Sequence, residues 1–159
     1  MKNRFNLPQP FVRLIEEKTY DKAGADYSVT ELLKPPRMVV LERRHQHSYH
    51  QELDVSDFIY SAMGTAMHAA LEEVSSKENG VFVEPKLITE IKGKKIKGQP
   101  DRYEANGIII DWKDTNVFSY KQHKAGNNKE WTQQLNCYAY MLRQMGKPVN
   151  TLRIWARRS

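Results

Sequence analysis

Residues 98–115, GQPDRYEANGIIIDWKDT, place Asp101, Asp111 and Lys113 in and beside segments that otherwise read as strands. Asp and Lys are depleted in strands, so these three in so short a stretch need a reason. Asp111 and Lys113 are two apart and share one face of a strand, while Ile108, Ile110 and Trp112 take the other, which reads as buried. The turn decides where Asp101 goes. A two-residue Asn106-Gly107 hairpin pairs Asp111 with Arg102 and sends Asp101 to the opposite face. A three-residue loop, Ala105-Asn106-Gly107, pairs Asp101 with Asp111 and uses Gly107 as the left-handed residue such loops want at their last position. The second register is favoured, although Asn-Gly is also the strongest two-residue signal.

In that register two carboxylates face each other across adjacent strands, which is destabilising unless a cation lies between them. Oxygen ligands select a hard ion, Mg²⁺ or Mn²⁺ rather than Zn²⁺. Lys113, one step along the same face, would orient a water and offset developing negative charge. A third acid comes from the preceding strand. If KGKK (92–95) is a four-residue loop, Ile91 pairs with Ile96 and Lys86 with Asp101, leaving Glu84 as a diagonal neighbour on the same face. The competing explanation is a solvated sheet face that does no chemistry.

The elements that must hold these residues are legible in outline. The chain has 159 residues, enough for one domain with a single core. Its 40% hydrophobic and 28% charged residues, with a mean hydropathy of −0.72, fit a polar globular protein. No apolar run approaches the ~20 residues of a membrane span, and MKNRFNLPQPFVRL lacks the apolar centre of a secretory signal. A cytoplasmic setting, in a bacterial or phage-infected cell, is the expectation. One cysteine, Cys137, excludes an internal disulfide and any iron–sulfur cluster. The formal charge of +6 points to an anionic partner, of which nucleic acid is the commonest.

Residues 1–27 read as an N-terminal extension, an amphipathic piece (FVRLIEEKTY) followed by a loop (DKAGADY). Ser28 and Glu31 form a capping box for a helix over 29–34, which must stop before Pro35-Pro36. A second helix, MVVLERRHQHSYH, follows. Asp54 or Ser56 caps a third, in which Ile59, Met63, Met67, Ala70, Leu71 and Val74 are expected to form one buried stripe. Helices thus fill 28–79. From 81 to 159 the pattern gives VEPKLITEI, IKGQPDRYE and IIIDWKD as a three-stranded meander, a polar loop at 116–129, a helix at 130–145 closed by Gly146, and a last strand, TLRIWARR.

Several motifs in this order resemble the PD-(D/E)XK nuclease superfamily, in its RecB-like branch. Pro100-Asp101 with Asp111-Trp112-Lys113 looks like the superfamily signature, and GTAMHAALE (64–72), with His68 inside it, looks like the branch's GxxxH helix. EPKL resembles the glutamate that opens the first core strand, GQPD matches G-x-x-D, and QLNCY matches Q-x-x-x-Y. With the flanking helix and last strand, the resemblance spans residues 28 to 157. It implies an α/β restriction-endonuclease-like core, a central mixed four-stranded sheet of an antiparallel meander plus a fourth strand after a helix, in one domain. It also implies that His68, Asp101, Asp111 and the Trp112 carbonyl ligate Mg²⁺, for which Mn²⁺ substitutes. Glu84 would support the site, Lys113 would be the catalytic lysine, and Gln134 and Tyr138 would line the cleft beside the DNA backbone. The chain departs from the pattern where Asp114 stands between Lys113 and Thr115, and in lacking the cysteines of iron–sulfur members. No helicase motif is present, which suits a stand-alone core or a fragment.

The implied activity is metal-dependent hydrolysis of DNA, first as an exonuclease on double-stranded ends or single strands in recombination, repair or phage DNA processing. A recombination or single-strand-annealing protein would be its partner. The rivals are a structure-selective endonuclease, a DNA-binding module without turnover, and a basic scaffold that binds no metal. His45, His47 and His50 have poor spacing for zinc and, with Arg43 and Arg44, read as a basic DNA-facing surface. Lys94 and Lys95, in a hairpin with Lys92 and Lys97, would meet phosphates; Arg153, Arg157 and Arg158 are equally basic but unassigned.

Overall fold

A computed structural model describes residues 2–16, 24–126 and 128–158, with side chains described except at 16, 46–52, 119, 123 and 158. In chain order the elements are α1 (Gln9–Glu16), β1 (Tyr27–Ser28), α2 (Val29–Leu33), α3 (Pro36–Glu52), a 3-10 turn (Val55–Phe58) and α4 (Ile59–Ser75). There follow β2 (Val81–Val83), β3 (Leu87–Ile91), β4 (Lys94–Gly98), β5 (Arg102–Glu104), β6 (Ile108–Thr115), α5 (Val117–Lys124), α6 (Lys129–Gln144) and β7 (Thr151–Arg158). The chain divides into two compact units, one of residues 1–21 and 34–67, the other of 22–33 and 68–159. No described helix is long and apolar enough to cross a membrane.

The first unit is helical. Asp54 caps the 3-10 turn, accepting from the Ser56 amide at 3.0 Å and its hydroxyl at 2.6 Å, and Arg4 reaches its other oxygen. The Ser56 hydroxyl and the Arg4 amide hold the Asp54 carboxyl down at about 2. Val12, Val39, Val55 and Ala62 are its buried apolar residues. Arg43 and Arg44 are exposed on α3, and His45 breaks that helix with φ −111° and ψ 15°; the side chains of His47 and His50 lie outside the described residues.

The second unit contains both sheets. The Ser28 box forms as expected: its amide donates to Glu31 Oε2 at 2.9 Å, and the Glu31 amide donates to Ser28 Oγ at 3.1 Å. One sheet has the order β1-β4-β3, with β1 parallel to β4 and β3 antiparallel to it. The other has the order β2-β5-β6-β7, antiparallel except for the β6–β7 pair. Helix α6 packs across both and contributes Leu135, Tyr138, Ala139, Met141 and Leu142 to a core shared with Leu87, Ile96, Tyr103 and Ile109. Its C-terminus is a Schellman turn: the Lys147 amide returns to the Leu142 carbonyl, the Gly146 amide to the Arg143 carbonyl, and Gly146 takes φ +71°.

Four expectations need correction. The strands read as VEPKLITEI and IKGQPDRYE are each broken, at 84–86 and 99–101, so that their halves belong to different sheets. Pro85 and Pro100 sit at the two breaks and cannot donate to a ladder. The turn joining β3 to β4 is not the four-residue KGKK but the pair Lys92-Gly93, both at positive φ (51° and 72°), so Ile91 faces Lys94. Within α4, Met63, Ala70 and Val74 are exposed, while Ala62 and Ser75 are buried with Thr65, His68 and Glu72 half-buried between them. Ile59, Met67 and Leu71 of the expected stripe are half-buried as well, so apolar and polar residues share the inward side. Residues 117–124, read as loop, form α5, which packs against β7.

The three-residue loop is observed: Glu104 faces Ile108, and Gly107 closes the turn at φ +91°. A Cβ on Gly107 would lie 2.6 Å from Asn150 Nδ2, whose amide in turn donates to the Asn106 carbonyl at 2.9 Å. Gly93 also has positive φ, but nothing lies within 4 Å of its Cβ position. Gly93→Ala should therefore cost only the backbone strain, about 1 kcal/mol. Gly107→Ala should cost clearly more in urea unfolding; equal losses would show that Asn150 does not enclose this turn.

Candidate metal and lysine site

The site lies where the hairpin ladders stop. Val83 faces Arg102 in one sheet and Leu87 faces Gly98 in the other, so the same register runs through the gap. Within the gap the Glu84 amide still donates to the Asp101 carbonyl at 2.9 Å. Glu84 is thus opposite Asp101 rather than diagonal to it, because the β3–β4 turn is two residues shorter than expected. Glu84 also has φ +43°, a left-handed conformation that costs about 1–2 kcal/mol in a residue with a Cβ. Gln99 donates to its carboxylate at 2.7 Å. Strained backbone held by its surroundings is frequent at functional sites.

Asp101 is the hub. Its Oδ2 accepts the Trp112 amide at 2.6 Å, and its Oδ1 lies 3.4 Å from His68 Nδ1. The β5–β6 ladder ends at Arg102–Ile110, one step before Asp101 would face Asp111, and the Asp101 carboxylate replaces the next ladder acceptor. Arg102 itself fastens this strand, donating to Ser75 Oγ at 3.0 Å and to Glu78 at 2.9 and 2.7 Å.

His68, Glu84 and Asp101 each offer a ligand atom, and these atoms lie within 4.8 Å of one another. One imidazole and two carboxylates suit a divalent cation with oxygen-rich coordination. This grouping differs from the expected His68, Asp101 and Asp111. Asp111 is 3% exposed and its Oδ2 is 2.7 Å from Lys113 Nζ, so this carboxylate is occupied by the lysine. On the Ile108/Ile110/Trp112 face, Trp112 alone is buried as expected. Ile108 and Ile110 are half-buried, and the fully buried residue is Ile109, on the Asp111 side beneath α6.

Lys113 is held from both sides, by Asp111 and by Gln134 Oε1 at 2.9 Å. Gln134 is 8% exposed, and its Nε2 donates to Tyr138 Oη at 2.8 Å inside the core. Gln134 and Tyr138 therefore stand behind the lysine instead of lining an open cleft. Gly98 makes room for this: a Cβ there would lie 3.1 Å from the Tyr138 ring and 2.7 Å from Met141 Sδ. Lys94 and Lys95 are at the far end of β4, roughly 13 Å along the strand from Gly98. Lys94 there pairs with Asp26 at 3.6 Å. Arg43 and Arg44 belong to the first unit. Sequence reading overlooked Gln99 and the left-handed Glu84; a residue before proline ordinarily takes extended backbone, so Pro85 gave no sign of the latter.

The electrostatics follow from these contacts. The Asp101 carboxylate raises the His68 pKa above its ordinary value, against the opposing effect of burial. Burial raises the Asp111 carboxyl, with Lys113 opposing it. Although Lys113 is close, withdrawal from water dominates for Asp111.

The fold is α/β, with one three-stranded and one four-stranded mixed sheet in the second unit. No protein-family model matches the chain, and no curated protein does. Among solved structures, the crystal structure of SSO0001 is similar, with a TM-score of 0.62 and 24% identity over 83% of this chain and 63% of that one. That likeness is one of fold, and this chain matches less than two thirds of SSO0001.

A raised histidine pKa means that its stabilisation is complete below the unfolded value, about 6.5, and is lost as pH climbs through the folded value. Metal-free protein should therefore lose stability as pH rises above about 6.5 and through the raised folded value. Asp101→Asn should return the His68 titration, followed by NMR, toward about 6.5 and flatten that loss. An unshifted His68 titration in the variant would mean that Asp101 does not set its pKa.

Proposed function

We propose that this chain is a metal-dependent DNA nuclease of the PD-(D/E)XK superfamily, RecB-like branch, with a restriction-endonuclease-like core. The observation that carries the reading is the meeting of Glu84, Asp101 and His68 beside the Asp111–Lys113 pair. Carboxylates and an imidazole beside a lysine are the parts that phosphodiester hydrolysis needs, and the motif order of the sequence agrees with that use. A bound Mg²⁺, or Mn²⁺ in its place, would polarise a phosphoryl oxygen and lower the pKa of a water.

The protein's own side chains have separate tasks. Asp101 orients His68 and ties β6 in place through the Trp112 amide. Glu84, steadied by Gln99, supplies a second carboxylate to the group. Asp111 and Gln134 hold the Lys113 ammonium, which would position the attacking water and share the charge of the five-coordinate transition state. The net charge of +6 favours a polyanionic substrate. Exonucleolytic action in recombination, repair or phage DNA processing, in a cytoplasm, is the first reading of the pathway.

Lys113→Ala and Asp111→Asn should each lower Mg²⁺-dependent DNA cleavage by roughly a hundredfold or more, with circular dichroism unchanged. Glu84→Gln should weaken Mn²⁺ binding in calorimetry as much as Asp101→Asn does. On duplexes with open or blocked ends, cleavage should need an open end. Wild-type rates in both Lys113 and Asp111 variants would sink the assignment of the active site.

A further inference from the structure

Strand β7 ends the four-stranded sheet, and its side chains alternate between the two faces. Leu152 and Ile154 pack toward the core beneath α6, whereas Arg153, Trp155 and Arg157 are exposed. Trp155 leaves 52% of its surface in solvent. In the parallel ladder Arg153 stands opposite Ile110, Trp155 opposite Trp112, and Arg157 opposite Asp114, so all three share the face of Trp112. On that face the His68 ring meets Trp112 edge-on, with centroids 6.2 Å apart. The exposed row is therefore one strand away from Trp112 and His68, on the sheet face opposite Asp111 and Lys113.

Arg157 is fixed by Asp114 at 3.1 Å, while Arg153 has no carboxylate partner among the described residues. The Trp155 indole is half open and flanked on its own face by two arginines. We propose that the Arg153–Trp155–Arg157 face of β7 is a platform for a single DNA strand, on which Trp155 stacks one unpaired base and the arginines hold phosphates on either side. Stacking needs an uncovered base face, which a strand offers along its length and a duplex only at its ends. Arg153 and Arg157 are four residues apart, about 13 Å along the strand, a span of a few nucleotides. This assignment deepens the nuclease reading, since it says which form of DNA is delivered to His68, Glu84 and Asp101.

Binding of a labelled oligothymidylate to the full chain, in chelator so that no cleavage occurs, tests it. Trp155→Ala and Trp155→Leu should each weaken binding on the order of tenfold, while Trp155→Phe, which keeps a ring, retains most of it. Oligothymidylate should quench wild-type tryptophan fluorescence, and Trp155→Phe should lose that quenching. Arg153→Gln should lower the slope of log affinity against log salt by about 0.7. Blunt duplex should depend little on Trp155. The platform is overturned if wild-type protein does not bind the strand, if Trp155→Leu binds like wild type, or if duplex binding falls equally. Wild type that binds and quenches yet never cleaves DNA with Mg²⁺ would remove the nuclease reading and leave the platform standing.

Discussion

The structure of the second unit depends on a hairpin that keeps its register across a gap in its hydrogen bonding. Proline at 85 and at 100 removes a donor from each strand at nearly the same level. The ladder opens there and resumes in the same register in the second sheet. Because the register survives, Glu84 and Asp101 face each other across the gap, joined by one backbone hydrogen bond. Because the ladder is open, their carboxylates are free for tasks other than flanking a continuous sheet. Asp101 then bonds outward, to the Trp112 amide and toward His68, and so joins β6 and α4 to the same point.

Behind this gap, α6 is less a DNA-facing element than a brace. Its Gln134 amide bridges the Lys113 ammonium and the Tyr138 hydroxyl, so both ends of the amide are used inside a buried environment. Partially paired polar groups are costly there, and this chain satisfies Gln134 on both sides. Gly98 lets the helix approach closely enough for Tyr138 to take part. The lysine thus has two fixed neighbours, an anion and an amide oxygen, which restrict its position without neutralising the region around Asp101.

Legibility varied with the range of the cause. The Ser28–Glu31 box, the stop before Pro35, the Gly146 terminus and the Gly107 loop all rest on contacts within a few residues, and the structure has each of them. Only half of the expected α4 stripe turns inward: Ile59, Met67 and Leu71 are half-buried beside Thr65, His68 and Glu72, whereas Met63, Ala70 and Val74 are exposed. Residues 117–124 looked like loop because their composition is polar; α5 is an eight-residue helix that packs against β7.

The sequence by itself determined which residue types reach this region and the spacing that sets Asp111 and Lys113 on one side of a strand. A period of two and a three-residue turn are local properties, and they survive any change in surroundings. Only the tertiary structure decided the grouping. Glu84 joins Asp101 and His68 because a two-residue turn slides one strand past the other, and Asp111 turns to Lys113 because burial makes that carboxylate demand a cation. Register and desolvation depend on partners distant in the chain, and no single segment contains them.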